Sequence, residues 1–405
     1  MKIAVPLETY PGERRVALTP QSVKQLVAQS YEVLVQTGAG EGAGYSDAEF
    51  EQAGARCSSD RAELIGSGDV VLQVRGLGAN PEAGQADLEL FERGPAEQIS
   101  IAQHDPLWRP ELAQQLSQRQ VRVLALETIP RISRAQSMDV LSSMATIAGY
   151  KAVLLAADRL PQMFPMLMTA AGTVSAARVF VIGAGVAGLQ AIATARRLGA
   201  IVQGYDIRPA AAEQIRSLGA KSVELPVASE DAEDAGGYAR AQGEEFNRRQ
   251  RELLAEVIAA SDVVITTAAI PGAPSPVLIT AEMVAAMKPG SVIVDLAAER
   301  GGNCELTEAD RDVSSGGVTV LGPTDLPSRV PRHASQMFSN NLTTLIKHLT
   351  HEGHLELDLA DEITHDVLVA DRGEVLHPRM RAKLGLPESE SESETETETE
   401  TEAAE

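Results

Sequence analysis

The chain has 405 residues, 44% of them apolar and only 3% aromatic, with two cysteines and a formal charge of -22. A single core stops growing at roughly 250–300 residues, so two domains are expected. Negative charge and scarce aromatics argue against a nucleic-acid surface, and Cys57 and Cys304 offer no disulfide framework, which points to a reducing compartment.

The start, MKIAVPLETYPGERR, carries no signal-peptide core. No uninterrupted apolar run approaches the ~18–20 residues of a bilayer span, so a soluble chain is expected, one still free to dock on a membrane protein. KIAVP (2–6) reads as a buried strand, and Thr19 as the cap of a helix opening at Pro20 with Val23, Leu26 and Val27 on one face. YEVLVQT (31–37), DVVLQV (69–74) and VRVLAL (121–126) read as further strands with helical stretches between. That alternation means a mostly parallel sheet. Residues 136–157 read as one long helix leading into the second domain. There the alternation repeats: VFVIGAG opens it, VAGLQAIATARRLGA is a helix closed by Gly199, and IVQGYD, DVVITTA (262–268), SVIVDLA (291–297) and VTVLGP (318–323) are strands. A helix around 335–350 returns to the first domain. Residues 228–250 are polar and Gly-containing, the pattern of a functional loop. Residues 388–405 hold nine Glu and no base and read as a disordered, solvated tail.

The fold class is α/β: two Rossmann-like, doubly wound parallel-sheet domains flanking a cleft, plus the acidic tail. The expected boundaries are 1–137 with 325–385, then 138–324, then 386–405.

Gly183, Gly185 and Gly188 form a G-x-G-x-x-G motif between an apolar strand and a helix, with Asp206 closing the next strand. The first glycine makes the tight turn, the second lets backbone approach a pyrophosphate at the helix N-terminus, and the third permits close helix–strand packing. Asp206 is suited to accept ribose hydroxyls of NAD and to repel the 2′-phosphate of NADP, a preference that neighbouring Arg208 complicates. Arg131, Gln136, Asp139 and Ser142 crowd one loop and helix start. An Arg131–Asp139 pair would leave Gln136 and Ser142 to bond a carboxamide or ribose; the alternative is a helix N-cap with incidental polar residues. His348, His351 and His354 do not match H-E-x-x-H and read as a solvated helix end rather than a metal site. His104 is an isolated acid–base candidate.

These motifs resemble the NAD(H)-binding subunit family of proton-translocating NAD(P) transhydrogenases. The resemblance covers residues 2 to about 380. It rests on PRISRAQSMD (130–139), GAGVAGLQAIATARRLGA (183–200), GGYA (236–239), TTAAIPG (266–272) and VDLAAERGGNCE (294–305). It implies a nicotinamide-side loop at Arg131, Gln136 and Asp139 with Ser142 beside them. It also implies a mobile loop over 228–250 with Tyr238 at its tip, and nucleotide contacts at Val186, Asp206, Ile207, Arg208, Gly237, Gln250 and Ala269. The family commonly has Gln where this chain has Met144 and a larger apolar residue where it has Ala269.

Members of that family hold NAD(H) while a partner subunit holds NADP(H). Hydride passes directly between the rings, and a membrane-spanning subunit couples transfer to proton movement. The resemblance therefore implies a homodimer peripheral to the cytoplasmic face of the membrane, a cytoplasmic protein held there by partner subunits. Such transfer needs proximity and orientation, with rings at about 3–3.5 Å, rather than an acid or base. Two alternatives remain open. One is an alanine dehydrogenase-like enzyme, whose GERRVAL-like segment falls on Gly12 to Leu18 with Arg15, but which needs Lys where this chain has Arg75 and a His near His104. The other is a non-catalytic NAD-binding module.

Overall fold

The computed structural model describes residues 1–224, 244–351 and 354–387. The chain divides into two compact units, Met1–Ser143 with the residues from Val330 onward, and Met144–Arg329. The expected tail and most of the 228–250 loop lie outside the described residues.

The first unit is built on an eight-stranded sheet. From edge to edge its strands are Glu374–Val375, Leu368–Asp371, Arg122–Ala125, Ile99–Gln103, Val70–Arg75, Lys2–Val5, Glu32–Gln36 and Arg56–Ser58. All pairings are parallel except those of the two strands nearest the C-terminus. The strand order reverses beside Lys2–Val5, which pairs with Glu32–Gln36 on one side and Val70–Arg75 on the other.

The second unit carries a seven-stranded sheet in the order Lys221–Ser222, Ile201–Tyr205, Arg178–Ile182, Val263–Thr266, Val292–Asp295, Val318–Leu321 and Asp312–Ser315. Only the last is antiparallel. Its central strands read as continuous apolar runs because both faces are covered. Val179 and Val181 enter the core on one face, and Phe180 and Ile182 enter the core on the other. The order reverses at Arg178–Ile182, between Ile201–Tyr205 and Val263–Thr266. That is the position where doubly wound sheets bind dinucleotides, outside the carboxyl ends of the strands.

Several expectations need correction. The helix expected from 136 starts at Val140 and runs to Arg159, preceded by a 3-10 turn over Ser133–Met138. That helix is long and apolar enough to cross a membrane by length and composition, which short uninterrupted runs concealed. In the structure its Ala152, Val153 and Ala156, with Leu160 just beyond, are buried in the core of the second unit, while most of its other residues are half-buried. Thr19 precedes the helix Pro20–Val27 without a side-chain capping bond; its hydroxyl meets Ser339 Oγ at 3.5 Å instead. The segment expected as loop through 250 is helical from Glu244 to Ala259. An unforeseen hairpin, Leu167–Thr169 with Gly172–Val174, forms a separate two-stranded sheet.

Candidate functional site

The Gly-rich turn is shaped by close approach. Gly183 adopts φ +93°, and a Cβ there would lie 2.5 Å from Thr267 Oγ1. A Cβ on Gly188 would lie 1.8 Å from the Gly183 carbonyl oxygen, so only glycine lets the helix Val186–Arg197 pack against its own entry strand. Gly185 differs: a Cβ there would meet none of the described residues within 4 Å, and both Gly185 and Val186 are exposed among them. The open space above Gly185 faces a helix start whose first N–H groups have no partner within the helix. That is a ready anion cradle. The same helix start is fixed from behind by Gly149, whose Cβ would lie 2.1 Å from the Ala187 carbonyl oxygen.

Asp206 sits one residue beyond the strand Ile201–Tyr205, and its carboxylate is nearly enclosed. Its Oδ2 accepts from Ala184 N at 2.7 Å, inside the Gly-rich turn, and from Arg208 Nη2 at 3.0 Å. Its Oδ1 accepts from Arg208 N and Nε, both at 2.9 Å. The expected complication by Arg208 is thus a bidentate pair. A ribose bonding to Asp206 must share the carboxylate with that guanidinium or displace it. Ile207 and Arg208 are half-buried beside it. Gln250, on the helix Glu244–Ala259, is buried and donates from Nε2 to the Tyr205 hydroxyl at 2.9 Å, beneath Asp206. Burial pushes that hydroxyl up to about 12, so it remains a neutral phenol.

On the other side of the turn, residues 267–272 follow the strand Val263–Thr266. Thr267 N donates to Ile182 O at 2.9 Å, and its hydroxyl to Gly183 O at 3.1 Å, tying this segment to the glycine turn. Ala269 and Ile270 are exposed. Behind them Asn303 is fully buried and bonded to Ala268, and Asp295 is fully buried at the end of Val292–Asp295. Neither residue was singled out by sequence reasoning; the motif VDLAAERGGNCE was the only signal.

In the first unit, Asp139 caps the helix Val140–Arg159: its Oδ1 accepts from Ser142 N at 2.9 Å, and its other oxygen accepts from the Ser142 hydroxyl. This is the N-cap geometry that the spacing left open. Arg131 and Gln136 are exposed on the preceding segment, whose buried side is Ala135 and Met138. The segment is pinned twice from behind. Asn341 Nδ2 donates to Ser137 O at 2.8 Å, and Arg134 pairs with Asp361 at 2.8 Å. Asp361 also meets His348 Nε2 at 2.8 Å and caps Glu362–Val367 through Thr364, and these bonds hold its carboxyl well below the ordinary range. His351 and His354 lie opposite each other in a two-residue ladder, so the three histidines are structural neighbours of different elements. Gly237 and Tyr238 lie outside the described residues. Among the described residues no group of three or more His, Cys, Asp or Glu side chains is arranged to hold a metal ion.

At the carboxyl edge of the first sheet, sequence reasoning named Arg15, Arg75 and His104 but missed the carboxylates Glu8, Glu13 and Glu127 around them. The Glu13 side chain is fully enclosed, with one oxygen 2.7 Å from Arg15 Nε and the other 2.6 Å from Arg15 Nη2 and 3.2 Å from Arg75 Nε. The Arg75 guanidinium also lies 4.1 Å from the Tyr10 ring centroid. Glu8 accepts from the N–H groups of Val74 and Arg75, and burial together with nearby Glu13 raises it to about 7. Glu127 accepts from His104 N and Asp105 N and is raised by burial to about 7. His104 is fully buried against Gly76, its Nε2 is 3.2 Å from Ser100 Oγ, and burial depresses it to about 4. An imidazole so placed is neutral at pH 7, which removes the accessible acid–base group expected there.

With this geometry in hand, comparison with known proteins is specific. Residues 4–148 match the alanine dehydrogenase/PNT N-terminal domain and residues 152–378 its C-terminal domain. An NAD(P) transhydrogenase subunit alpha chain of Rhodospirillum rubrum is 46% identical over 94% of this chain and 99% of its own length. The crystal structure of transhydrogenase from Sinorhizobium meliloti superposes with a TM-score of 0.81 at 43% identity, covering 93% of this chain and all of that one. An L-alanine dehydrogenase structure gives 0.77 at 26% identity, covering 95% and 99%. The chain belongs to the alanine dehydrogenase/PNT family and, within it, to the alpha subunits of NAD(P) transhydrogenase.

Proposed function

We propose that this chain holds NAD(H) and passes hydride directly to or from NADP(H) held by a partner subunit, in a reaction that membrane-spanning subunits couple to proton translocation. The observation that carries the reading is the open cradle above Gly185, at a switch point and a helix N-terminus, in a chain of this family. Gly183, Gly185, Val186 and Gly188 would hold the pyrophosphate. Asp206, Ile207 and Arg208 would hold the adenosine ribose and its surroundings, with Gln250 beneath and Gly237 and Tyr238 closing over. Ala269 would face the nicotinamide half. Bound nicotinamide supplies the hydride; the protein supplies position. In this reading Arg131, Asp139 and Ser142 fix the ring from the protein side, and exposed Gln136 reaches toward the second nucleotide.

The decisive test mixes the chain with an NADP(H)-binding transhydrogenase subunit and follows hydride transfer to an NADP analogue. Gln136→Asn should leave NADH affinity nearly unchanged and slow transfer on the order of 10²-fold, since misplacement by about 1 Å has that effect. Wild-type turnover in that variant would remove Gln136 from the site. An alanine dehydrogenase reading is disfavoured by Arg75, which is permanently charged, paired with Glu13 and packed on Tyr10; the chain should not reduce pyruvate with NADH and ammonium.

The homodimer is proposed on the hairpin 167–174. Met166, Leu167, Met168 and Val174 are exposed on or beside it, and a lone two-stranded hairpin is marginal in water. A second copy of the chain would cover it. Met168→Glu should shift the sedimentation coefficient toward that of a monomer.

A further inference from the structure

Asn303 stands behind the 267–272 segment, close to the glycine turn. It is fully buried, and every bond its side-chain amide makes goes to backbone. Its Oδ1 accepts from Ala268 N at 3.0 Å, while its Nδ2 donates to Ala268 O and Pro276 O, both at 2.8 Å. Ala268 lies two residues past the end of the strand Val263–Thr266, where the sheet offers its main chain no further ladder. One side-chain amide therefore replaces the missing strand, satisfying both backbone groups of the residue next to Ala269.

Asn303 is itself anchored. Its N–H donates to Asp295 Oδ2 at 2.6 Å, and its carbonyl accepts from Leu278 N and Ile279 N at 2.8 and 2.9 Å. Asp295 collects four more donors: Thr266 Oγ1 and Ala297 N on one oxygen, Cys304 N and Thr307 Oγ1 on the other. A hydrogen-bonded line thus runs from Asp295 through Asn303 to Ala268, and through Thr267 to the carbonyl of Gly183. The 267–272 segment is braced from the core although its outer residues are exposed.

We infer that Asn303 is a positioning residue for the half of the nucleotide site that does not contain Asp206. Asp206 follows the strand on one side of the switch point, and the 267–272 segment follows the strand on the other. A dinucleotide crossing the switch point puts its two halves on these two sides. The adenosine half falls to Asp206, so the nicotinamide half falls to the segment that Asn303 aims. This inference rests on the nucleotide site proposed above.

Asn303→Ala leaves the N–H and C=O of Ala268 without their partner and lets the segment move. NADH affinity, measured by isothermal titration, should fall about tenfold, in line with the loss of buried hydrogen bonds. The affinity for 5′-AMP, which reaches only the Asp206 side, should stay within about twofold of wild type. Asn303→Asp, nearly isosteric, keeps the acceptor and loses both donors; it should give the same split between the two ligands and serves if the alanine variant does not fold. Equal weakening of NADH and 5′-AMP, or unchanged NADH affinity in a folded variant, would overturn the positioning role. A wild-type chain that binds 5′-AMP and NADH nowhere near the glycine turn, as judged by Gly188→Ala leaving both affinities intact, would instead take down the nucleotide-site reading itself.

Discussion

The two sheets share one plan and use their carboxyl edges in opposite ways. Each is largely parallel, each reverses its strand order at an internal strand, and each therefore has a switch point where a ligand can lie. In the second unit the edge is left open by the described residues: a Cβ on Gly185 would meet none of them within 4 Å, and Asn303 and Thr267 nearby bond to backbone. In the first unit the corresponding edge is filled by the chain's own ions, with Glu8, Glu13, Arg15 and Arg75 packed against each other, His104 buried nearby and Glu127 bonded to its N–H. Architecture sets where a site can be. Side-chain size and charge at the strand ends decide whether it stays open.

The sharpest way to break this contrast is to empty the filled edge. Glu13→Gln leaves two guanidinium groups without their buried counter-charge, and losing one partner of such a pair costs about 3–5 kcal/mol. Urea unfolding should show that loss while NADH affinity of the folded protein stays within about twofold of wild type. A weakened NADH site would mean that the first edge is not a purely structural one. Filling the open edge is the converse. Gly188→Ala forces a methyl onto the Gly183 carbonyl, and overpacking of about 1–3 kcal/mol at the turn should weaken NADH on the order of 10²-fold.

A smaller effect is expected at Asp206. Asp206→Asn halves the acceptors available to ribose and loosens the bidentate hold on Arg208, which can then meet a 2′-phosphate, so preference for NADH over NADPH should drop about tenfold in paired titrations. An unchanged ratio would show that selectivity lies elsewhere. The mildest test is by pH. Folded Glu8 titrates near 7 and an unfolded glutamate near 4.5, so between those values the folded state holds a proton that the unfolded chain has lost. Stability contributed by Glu8 is therefore present at low pH and declines as pH rises from about 4.5 to 7. Wild type should lose ground to Glu8→Gln across that window and run parallel to it above; parallel denaturation midpoints from pH 5 to 8 would contradict a raised, buried carboxyl there.

How much of this was legible in the sequence depends on the range of each interaction. The fingerprint was plain because strand, turn and helix are contiguous from Arg178 to Arg197, and Gly188 is required by the Gly183 carbonyl inside that span. The helix expected around 335–350 is present but runs over Pro331–His348, opening at Pro331. The filled edge was not: Glu13 and Arg75 meet across 62 positions, and nothing local marks them as partners. The start of the helix Val140–Arg159 was misplaced because Asp139 reads equally as a helical residue or as its cap, and only the bond from Ser142 settles which. The hairpin 167–174 was invisible because its residues face outward on both strands, which erases the inside–outside alternation that marks a strand. The brace through Asn303 was hidden in a motif noticed only for its family likeness.

Gly149 carries a consequence that reaches beyond packing. It lies well before the motif in sequence, inside a helix whose composition suggests nothing but core, yet any side chain there would strike the carbonyl of Ala187 at the mouth of the cradle. The signature by which this chain would be recognised as a dinucleotide binder thus has a fourth glycine outside its own span. A homologue that kept all three motif glycines but carried a larger residue at that position would present the right letters over a displaced cradle. A search for the motif would score it as intact.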